Sequence, residues 1–483
     1  MQIGKNRKFH AIRYCRHNLV EGSNYIYSVY WPNGENVQFF VEAGAKQGED
    51  DIGFYNCIFP FDTEKISFGI ITHNHLDHVG LLPVIVRQGF DGPIYTSYAT
   101  ANLLDISLHD LTTIVDKELD QPIATIEEVE KTIEQVIGCT YKKKIKPHKN
   151  IVITFFSNGH LVGAVVTLIV ITCPGEEPIT IIHTGDYKDE NVFFNVEVPP
   201  KQVRELNISN IVCESTYGDV DSTHPMFKKC LEDNTVDALR NGMTVLYPTY
   251  SQGRHQEALF KIKMWKSKGI IPEETLIVVD GKSSQEYNRR YMYTDLGIKK
   301  IMRNFMPKGT KCIPRSRDRK LYRERVINDP RPKIILAPGG MGSYGPVTKY
   351  ISEFIPRNDV LIHSLGYCSP DSTMYKLINT ENGEKIKFNG KILTKKCLTK
   401  KTAEMSFHDP RDKQLRFIQY FPNTCSVSIN HGERNVQLSF REYLLYYLGL
   451  PEDQIMVADS QVGVRIESNG ITDCFQTTFE SIL

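Results

Sequence analysis

The sequence lacks the features that mark a secreted or membrane protein. Its 11 cysteines include no C-x-x-C pair, which argues against a disulfide framework and against a zinc site built from thiolates. No run of apolar residues approaches the ~18–20 that a membrane span requires, and the N-terminus lacks the apolar core of a secretion signal. We therefore expect an intracellular, cytoplasmic protein that does not enter a membrane, with a nuclear location left open.

An excess of charge of either sign is also absent. The 58 basic and 57 acidic residues leave a net charge of +1, so no global electrostatic field points to nucleic acid. A polyanion would have to be bound by a local cluster. The densest is residues 303–325, with nine Lys or Arg against two acids and with Phe305 and Tyr322 interleaved. This segment is either a solvated face or a surface that binds phosphates.

The length and the pattern of apolar runs predict two domains. At 483 residues the chain exceeds one compact core. An Asn33-Gly34 pair between two strand-like runs predicts a β-hairpin near the start. From about residue 225, β-like runs alternate with helical stretches, which indicates a second α/β domain with a largely parallel sheet. After residue 391 the earlier character returns. We expect a first domain made of 1–219 and 392–483, with a second domain of 220–391 inserted into it.

One stretch of the first domain is exceptionally rich in metal-binding side chains. The apolar run 68–71 stops abruptly at Thr72 and is followed by the sequence HNHLDH. A short apolar run that ends in polar residues is typical of a buried strand that leads into a loop. Three imidazoles and a carboxylate so close together each need a partner, and a dinuclear metal site supplies all of them. The alternative is a solvated, histidine-rich loop.

The same pattern recurs further along the chain. Strand-like runs lead into acidic or histidine side chains at Glu42, His160, Asp186, Glu214, His408 and His431. In layered α/β folds, ligand sites gather where strands end, because side chains converge there. His183, three residues before Asp186, is interpreted as a packed residue.

These motifs, taken in order, resemble a known family. The HxHxDH of residues 73–78 resembles the metallo-β-lactamase superfamily. The segments GHLVGA, HTGDY, ESTYG, SFHD and NHGE follow in the order seen in the β-CASP nucleases. The segments 253–257 and 340–341 resemble signatures of the domain inserted in that family. The resemblance covers essentially the whole chain. It implies an α/β fold: a four-layer αββα metallo-β-lactamase domain with an inserted α/β β-CASP domain.

The resemblance also implies a site with two zinc ions, although other divalent metals are left open. One ion would be bound by His73, His75 and His160. The other would be bound by Asp77, His78 and His431, with Asp186 bridging the two. The catalytic residues implied are Asp77, Glu42, Glu214 and His408. Among these, His408 would act as a general acid held by Glu214. Glu42, where the family more often has Asp, would orient the attacking water.

The resemblance further implies the substrate. A histidine at the last motif, here His431, is typical of members that process RNA, so we expect single-stranded RNA. Gly366-Tyr367 resembles a segment of the cleavage-and-polyadenylation type and its bacterial and archaeal relatives. The residues expected to bind substrate are Arg254, Gly340, Ser343 and Tyr367. Two departures from the pattern, in residues 368–373 and 409–411, leave endonuclease and exonuclease activity both open.

Three alternatives to a ribonuclease are compatible with parts of the sequence. A β-CASP nuclease that acts on DNA stays open, because the last-motif rule is a correlation. A small-molecule metallohydrolase would share the early metal motifs but lacks the inserted domain and the pair His408 and His431. A catalytically silent scaffold would have lost ligands, whereas every expected ligand is present here. A homodimer is compatible with the sequence.

Overall fold

The chain forms two compact units. The computed structural model describes residues 8–17, 22–46, 59, 61–113, 115–116, 121–460 and 462–476. Met1–Ser222 together with His408–Leu483 form the first unit, and Thr223–Phe407 form the second unit.

Strands and helices alternate through both units. In the described part of the chain the strands are β1 (His10–His17), β2 (Asn24–Tyr30), β3 (Asn36–Ala43), β4 (Ile66–Ile70), β5 (Ile94–Ser97), β6 (Val115–Asp116), β7 (Gln121–Pro122), β8 (Val136–Cys139), β9 (Lys144–His148), β10 (Ile151–Ser157), β11 (Val165–Ile171), β12 (Ile179–His183), β13 (Asn210–Glu214), β14 (Thr244–Thr249), β15 (Leu276–Val279), β16 (Lys311–Cys312), β17 (Lys333–Pro338), β18 (Val360–Ser364), β19 (Lys385–Phe388), β20 (Lys391–Thr394), β21 (Leu398–Lys401), β22 (Val427–Asn430), β23 (Ile455–Val457), β24 (Val462–Glu467) and β25 (Gly470–Gln476). The α-helices of the same residues are Leu76–Val79, Leu82–Arg87, Tyr98–Leu111, Ile126–Glu134, Lys201–Arg204, Leu231–Arg240, Arg254–Ser267, Lys282–Tyr293, Arg319–Asn328, Val347–Phe354, Thr373–Asn379, Arg411–Gln419 and Arg434–Leu448.

The first unit contains two large sheets. One has the order β25-β24-β1-β2-β3-β4-β5-β8, and the other has the order β23-β22-β13-β12-β11-β10-β9. The predicted hairpin at Asn33-Gly34 is confirmed, since β2 and β3 pair in antiparallel register across it. The strands β3, β4, β5 and β8 run parallel, as do β12, β13, β22 and β23. Parallel neighbours end at the same edge of a sheet, so the polar residues that follow them come together.

The two sheets pack face to face, and helices cover their outer faces. Phe39 belongs to the core between the sheets, whereas its neighbour Phe40 packs under the helices of the first sheet. Successive side chains of a strand point to opposite faces, which explains this division. Ile181 and Ile182 divide in the same way on the second sheet, where Ile182 packs with Phe440 of the helix Arg434–Leu448. The predicted αββα arrangement of four layers is confirmed.

The second unit is built on a parallel sheet with the order β16-β15-β17-β14-β18-β21. Its central strands β14 and β17 are buried along their whole length, as expected for strands covered on both faces. This confirms the predicted parallel sheet. The sequence assigns residues 392–407 to the first domain, but they lie in the second unit, because β21 pairs in parallel with β18.

Among the residues described, none of the helices has the length and apolar character that crossing a membrane requires.

Candidate metal centre

The metal-binding side chains lie where strands of the first unit end. The segment 72–78 follows β4 of one sheet, and its first helical turn, Leu76–Val79, begins within it. On the other sheet, β12, β13 and β22 are parallel neighbours. In the strand order of this sheet, β11 and β10, with the loop that connects them, follow β12. The residues at these ends are Asp186 after β12, Glu214 in β13, His431 after β22 and His160 between β10 and β11.

Asp186 lies at the centre of this group. Its Oδ2 atom is 3.5 Å from the Nε2 atoms of both His73 and His160. Its Oδ1 atom is 3.3 Å from Nε2 of His78 and 3.4 Å from Nε2 of His431. One carboxylate therefore faces two separate pairs of imidazoles, which is the geometry of a residue that bridges two metal ions.

Two further side chains complete the two sets. The Nδ1 atom of His75 lies 3.2 Å from Nε2 of His160. The Oδ2 atom of Asp77 lies 3.6 Å from Nε2 of His431 and 3.7 Å from Nε2 of His78. The structure thus gathers the side chains that were predicted as ligands into two groups. One group is His73, His75, His160 and Asp186, and the other is Asp77, His78, Asp186 and His431.

The buried atoms of these groups fit a pair of divalent metal ions. Within the described part of the chain, four buried atoms of these groups form no hydrogen bond, although their side chains are only 1–5% exposed: Nε2 of His73, His78 and His431, and Oδ1 of Asp186. Burying polar atoms without partners is unfavourable, and a cation between them removes that cost. The donors are imidazole nitrogens and carboxylate oxygens, which zinc and similar ions accept.

The protonation states of His73 and Asp186 are consistent with this assignment. Burial, assisted by the neighbouring imidazoles, holds the pKa of His73 well below its usual value. Burial raises the pKa of Asp186, but the imidazoles of His431 and His78 outweigh it and hold that pKa well below its usual value. The structure therefore favours a neutral His73 and an ionised Asp186, the forms that bind metals.

Glu42 contacts a metal-binding histidine. Its Oε2 atom is 2.6 Å from Nδ1 of His78, and its Oε1 atom accepts the N–H of Thr72 at 2.7 Å. The resemblance implies that Glu42 orients the attacking water. In the structure both carboxylate oxygens of Glu42 contact protein groups. These two contacts suit Glu42 to orienting the ring of His78, and its predicted role toward the attacking water stays a prediction.

Asn158 connects two of the loops and was not identified from the sequence. Its side-chain oxygen accepts the N–H of His160 at 3.0 Å, and its amide donates to the carbonyl oxygens of Thr184 and Asp186 at 2.8 and 2.6 Å. An Asn two residues before a loop histidine is a signal for this kind of turn. Asn158 thus fixes the backbone that carries His160 relative to the backbone that carries Asp186.

His408 lies beside the metal-binding groups and is held by Glu214. Its Nδ1 atom is 3.0 Å from Oε1 of Glu214, and its Nε2 atom is 3.9 Å from Oδ2 of Asp186. Glu214 also accepts the N–H groups of Tyr187 and Thr216, at 3.0 and 2.8 Å. The carboxylate is therefore fixed by backbone groups, and it orients the ring of His408 so that its Nε2 atom lies on the side of Asp186.

Known protein families match two parts of the chain. Residues 33–191 match the metallo-beta-lactamase superfamily domain, and residues 256–377 match the Beta-Casp domain. The chain is a metallo-β-lactamase protein with a β-CASP domain.

Curated relatives share this combination over most of the chain. It is 25% identical over 413 residues to the transcription termination factor FttA of Methanosarcina mazei, covering 82% of this chain and 63% of the relative. The chain is 25% identical over 432 residues to the cleavage and polyadenylation specificity factor subunit 3-II of Arabidopsis thaliana, covering 87% of this chain and 67% of the relative. The chain is 25% identical over 397 residues to an RNase J-like protein of Methanocaldococcus jannaschii, covering 81% of this chain and 87% of the relative. The chain spans 63% and 65% of the length of two archaeal FttA proteins.

A departure from the β-CASP pattern, Asp409, has a structural role behind His408. The buried Asp409 carboxylate accepts the N–H of Asp189 at 2.7 Å, and its own N–H donates to the carbonyl of Tyr187 at 2.9 Å. The ammonium group of Lys413 lies 2.8 Å from Asp189 and 3.5 Å from Asp409. Burial, with the nearby charge of Asp189, raises the pKa of Asp409 to about 7. The segment that carries His408 is in this way attached to the loop that follows Asp186.

The predicted substrate-binding residues lie in the second unit, which contains the β-CASP match. Arg254 begins the helix Arg254–Ser267 and is 6% exposed. Its guanidinium carbon is 5.2 Å from the ring centre of Tyr250 and 5.6 Å from that of Phe407. Gly340 also borders Tyr250, since a Cβ atom there would be 3.0 Å from that ring.

The other two predicted substrate residues have different surroundings. Tyr367 is half-buried and follows Gly366, where an added Cβ atom would lie 2.4 Å from the guanidinium of Arg254. The hydroxyl of Ser343 lies 3.1 Å from the hydroxyl of Thr373 and accepts the N–H of Thr373 at 3.3 Å. Ser343 therefore joins its loop to the start of the helix Thr373–Asn379.

Proposed function

We propose that the protein is a zinc-dependent ribonuclease that hydrolyses phosphodiester bonds of RNA at the metal centre of the first unit. The observation that carries the proposal is the position of Asp186, which faces two sets of imidazoles next to the pair of His408 and Glu214. The names of the relatives, a termination factor, a cleavage and polyadenylation factor and an RNase J-like protein, support RNA as the substrate.

The residues that would hold the two ions are the two groups that share Asp186. When bound, such ions supply Lewis-acid activation of a water molecule and stabilise the negative charge that builds on the phosphate. The nitrogen-rich donor set favours zinc over magnesium or calcium, which prefer oxygen ligands.

His408 is the proposed general acid. Its Nδ1 atom donates to Glu214, so its Nε2 atom faces the site, and this nitrogen carries a proton only when the ring is in its protonated form. A phosphodiester needs a proton on its leaving 3′-oxygen, and a positioned imidazole delivers one near neutral pH. Glu214 stabilises the protonated ring and fixes its orientation, since its oxygens are already held by backbone N–H groups.

Other side chains act through the proposed metal ligands. Glu42 orients His78, and Asn158 fixes the positions of His160 and Asp186. In the second unit, Arg254 and the loops that contain Gly340, Ser343 and Tyr367 are proposed to contact the RNA. A guanidinium beside aromatic rings is suited to a phosphate or a base. A homodimer stays a prediction.

The proposal is tested by mapping products from labelled polymers. Single-stranded RNA and DNA, labelled at either the 5′ or the 3′ end, are incubated with the zinc-loaded protein and with Asp186→Ala as control. We expect cleavage of RNA by the unsubstituted protein alone. Internal fragments would identify an endonuclease, and mononucleotides would identify an exonuclease. Equal cleavage of DNA would remove the preference for RNA, and cleavage of neither polymer would refute the nuclease assignment.

A further inference from the structure

A dense group of exposed cations lies at one edge of the second unit. It runs through β16, the loop after it and the start of the helix Arg319–Asn328, and we call residues 311–325 the basic segment. The exposed cations of this segment are Lys311, Arg315, Arg317, Arg319, Lys320 and Arg325. The exposed acids of the same segment are Asp318 and Glu324.

Most of these cations have no carboxylate partner. Arg323, which is half-buried, forms hydrogen bonds with both oxygens of Asp280, one of them 3.1 Å long. Arg315 reaches Glu286 at 3.4 Å. Among the described residues, no acidic side chain forms an ion pair with the other exposed cations, which are Lys311, Arg317, Arg319, Lys320 and Arg325. A solvated face ordinarily mixes charges of both signs in similar numbers, whereas in this segment the six exposed cations outnumber the two exposed acids.

The positions of the charges are unfavourable for the helix itself. Arg319 and Lys320 stand in the first turn of Arg319–Asn328, and that turn contains no acidic residue. Cations at a helix N-terminus oppose the helix dipole. Arg319 and Arg323, four residues apart, also repel each other. Asp318 at the N-cap offsets part of this effect, but the stability of the helix still does not explain why cations are concentrated here.

An aromatic ring accompanies the charges. Tyr322 is 43% exposed, and the guanidinium carbon of Arg325 is 5.6 Å from the centre of its ring. Surfaces that bind single strands combine cations that track the backbone with aromatic rings on which bases stack. A small anion would use the cations alone, whereas a polynucleotide would use both features.

We infer that the basic segment binds the phosphate backbone of single-stranded RNA, with Tyr322 as a stacking position for a base. This inference rests on the proposed function and extends it: the substrate is a polymer held by several phosphates, not a small phosphodiester. Because phosphate contacts release counterions, binding through this segment depends steeply on salt.

The test compares two variants with the same change in charge. Arg317→Gln, Arg319→Gln and Lys320→Gln are combined in one variant. Lys385→Gln, Lys387→Gln and Lys391→Gln are combined in the control, because these lysines are exposed on the hairpin of β19 and β20 in the same unit. Both sets are made in the full chain with Asp186→Ala, so that RNA survives. Binding of a single-stranded 30-mer RNA is measured from 50 to 300 mM salt.

The basic-segment variant should bind about 10–100-fold more weakly at 100 mM salt, and the slope of log affinity against log salt should become shallower by about 2. The control should keep both values. Equal behaviour of the two variants would overturn the inference. Hydrolysis of bis(4-nitrophenyl) phosphate by the unsubstituted, zinc-loaded protein is measured in parallel. Its absence would count against the proposed function, whereas the salt slopes alone decide the role of the basic segment.

Discussion

Single residues around the metal centre divide into those that face the two ions and those that hold them in place. Types and spacing in the sequence were sufficient to predict the first kind, and the structure brings those side chains close together. The second kind depends on three-dimensional contacts. Asn158 was missed for this reason, and Glu42 was identified by its motif but proves to contact His78 and Thr72.

The contact of Glu42 gives a prediction for metal affinity. Glu42→Gln keeps the size of the side chain but removes the charge that supports His78. We expect zinc affinity to fall about 10–100-fold, as measured by competition with a chromogenic chelator. Glu177→Gln, on an exposed turn, is the matched control and should leave affinity unchanged. An unaltered affinity in Glu42→Gln would show that the contact is not important for the site.

The position of His408 gives a prediction for catalysis. His408→Ala should lower kcat for RNA cleavage by about 10²–10⁴-fold, because the leaving oxygen would lose its proton donor. Metal content should stay at the level of the unsubstituted protein, since His408 belongs to neither of the groups that share Asp186. Elemental analysis alongside the rate measurement separates the two effects. Loss of metal together with activity would make His408 a ligand instead.

At the level of elements, the sequence indicated much of the arrangement. Apolar runs located the strands that end at the site, and alternating β and helical runs identified the parallel sheet of the second unit. The sequence did not indicate that β22 lies beside β13, because more than 200 residues separate them and pairing of distant strands leaves no local pattern. It also did not indicate the positive φ angles of Glu42 and His431, 67° and 50°, which depend on surrounding contacts.

Close packing between the β3 end and the metal-binding loop gives a third prediction. A Cβ atom on Gly44 would lie 1.7 Å from the carbonyl oxygen of Asp77 and 2.8 Å from the backbone nitrogen of Ser23. Gly44→Ala must therefore displace the loop that carries Asp77. We expect a lower unfolding temperature and weaker zinc binding, measured by calorimetry and chelator competition. Gly175→Ala, where no atom lies within 4 Å but φ is 81°, should also lower the unfolding temperature because of backbone strain, but it should retain zinc binding. Normal zinc affinity in Gly44→Ala would contradict this packing.

Two buried histidines give a pH prediction for the second unit. Burial lowers the pKa of His255 to about 3 and that of His363 to about 4. The unfolded chain, with histidine pKa values near 6.5, binds more protons between pH 6.5 and 4, so stability rises with pH there and is lost on acidification.

Replacing one of these histidines should reduce the effect. In His363→Gln the fall in unfolding temperature between pH 6.5 and 4.5 should be smaller than in the unsubstituted protein. The reason is that His363 accounts for about 3 kcal/mol of the free energy of unfolding that is lost on acidification. His224→Gln, at an exposed position of the same unit, should show the same dependence of unfolding temperature on pH as the unsubstituted protein. Identical slopes for the unsubstituted protein and His363→Gln would refute the assignment. Thermal melts at several pH values supply the comparison.

At the scale of the whole molecule, the site depends on both sides of an insertion. His73, His160 and Asp186 precede the second unit in the chain, whereas His408 and His431 follow it. The metal centre is complete only when the segment after the insertion adds β22 beside β13. A chain cut before residue 408 would therefore lack one ligand and the proposed general acid.

The central claim is that metal bound at this centre enables the cleavage of RNA. The most direct measurement is the initial rate of cleavage of 5′-labelled single-stranded RNA by protein stripped with a chelator and then titrated with zinc, beside Asp186→Ala. We predict no product from the stripped protein, recovery of cleavage as zinc is added, and no product from Asp186→Ala at any zinc concentration. Undiminished cleavage by the stripped protein or by Asp186→Ala, or no cleavage after zinc is restored, would contradict the claim.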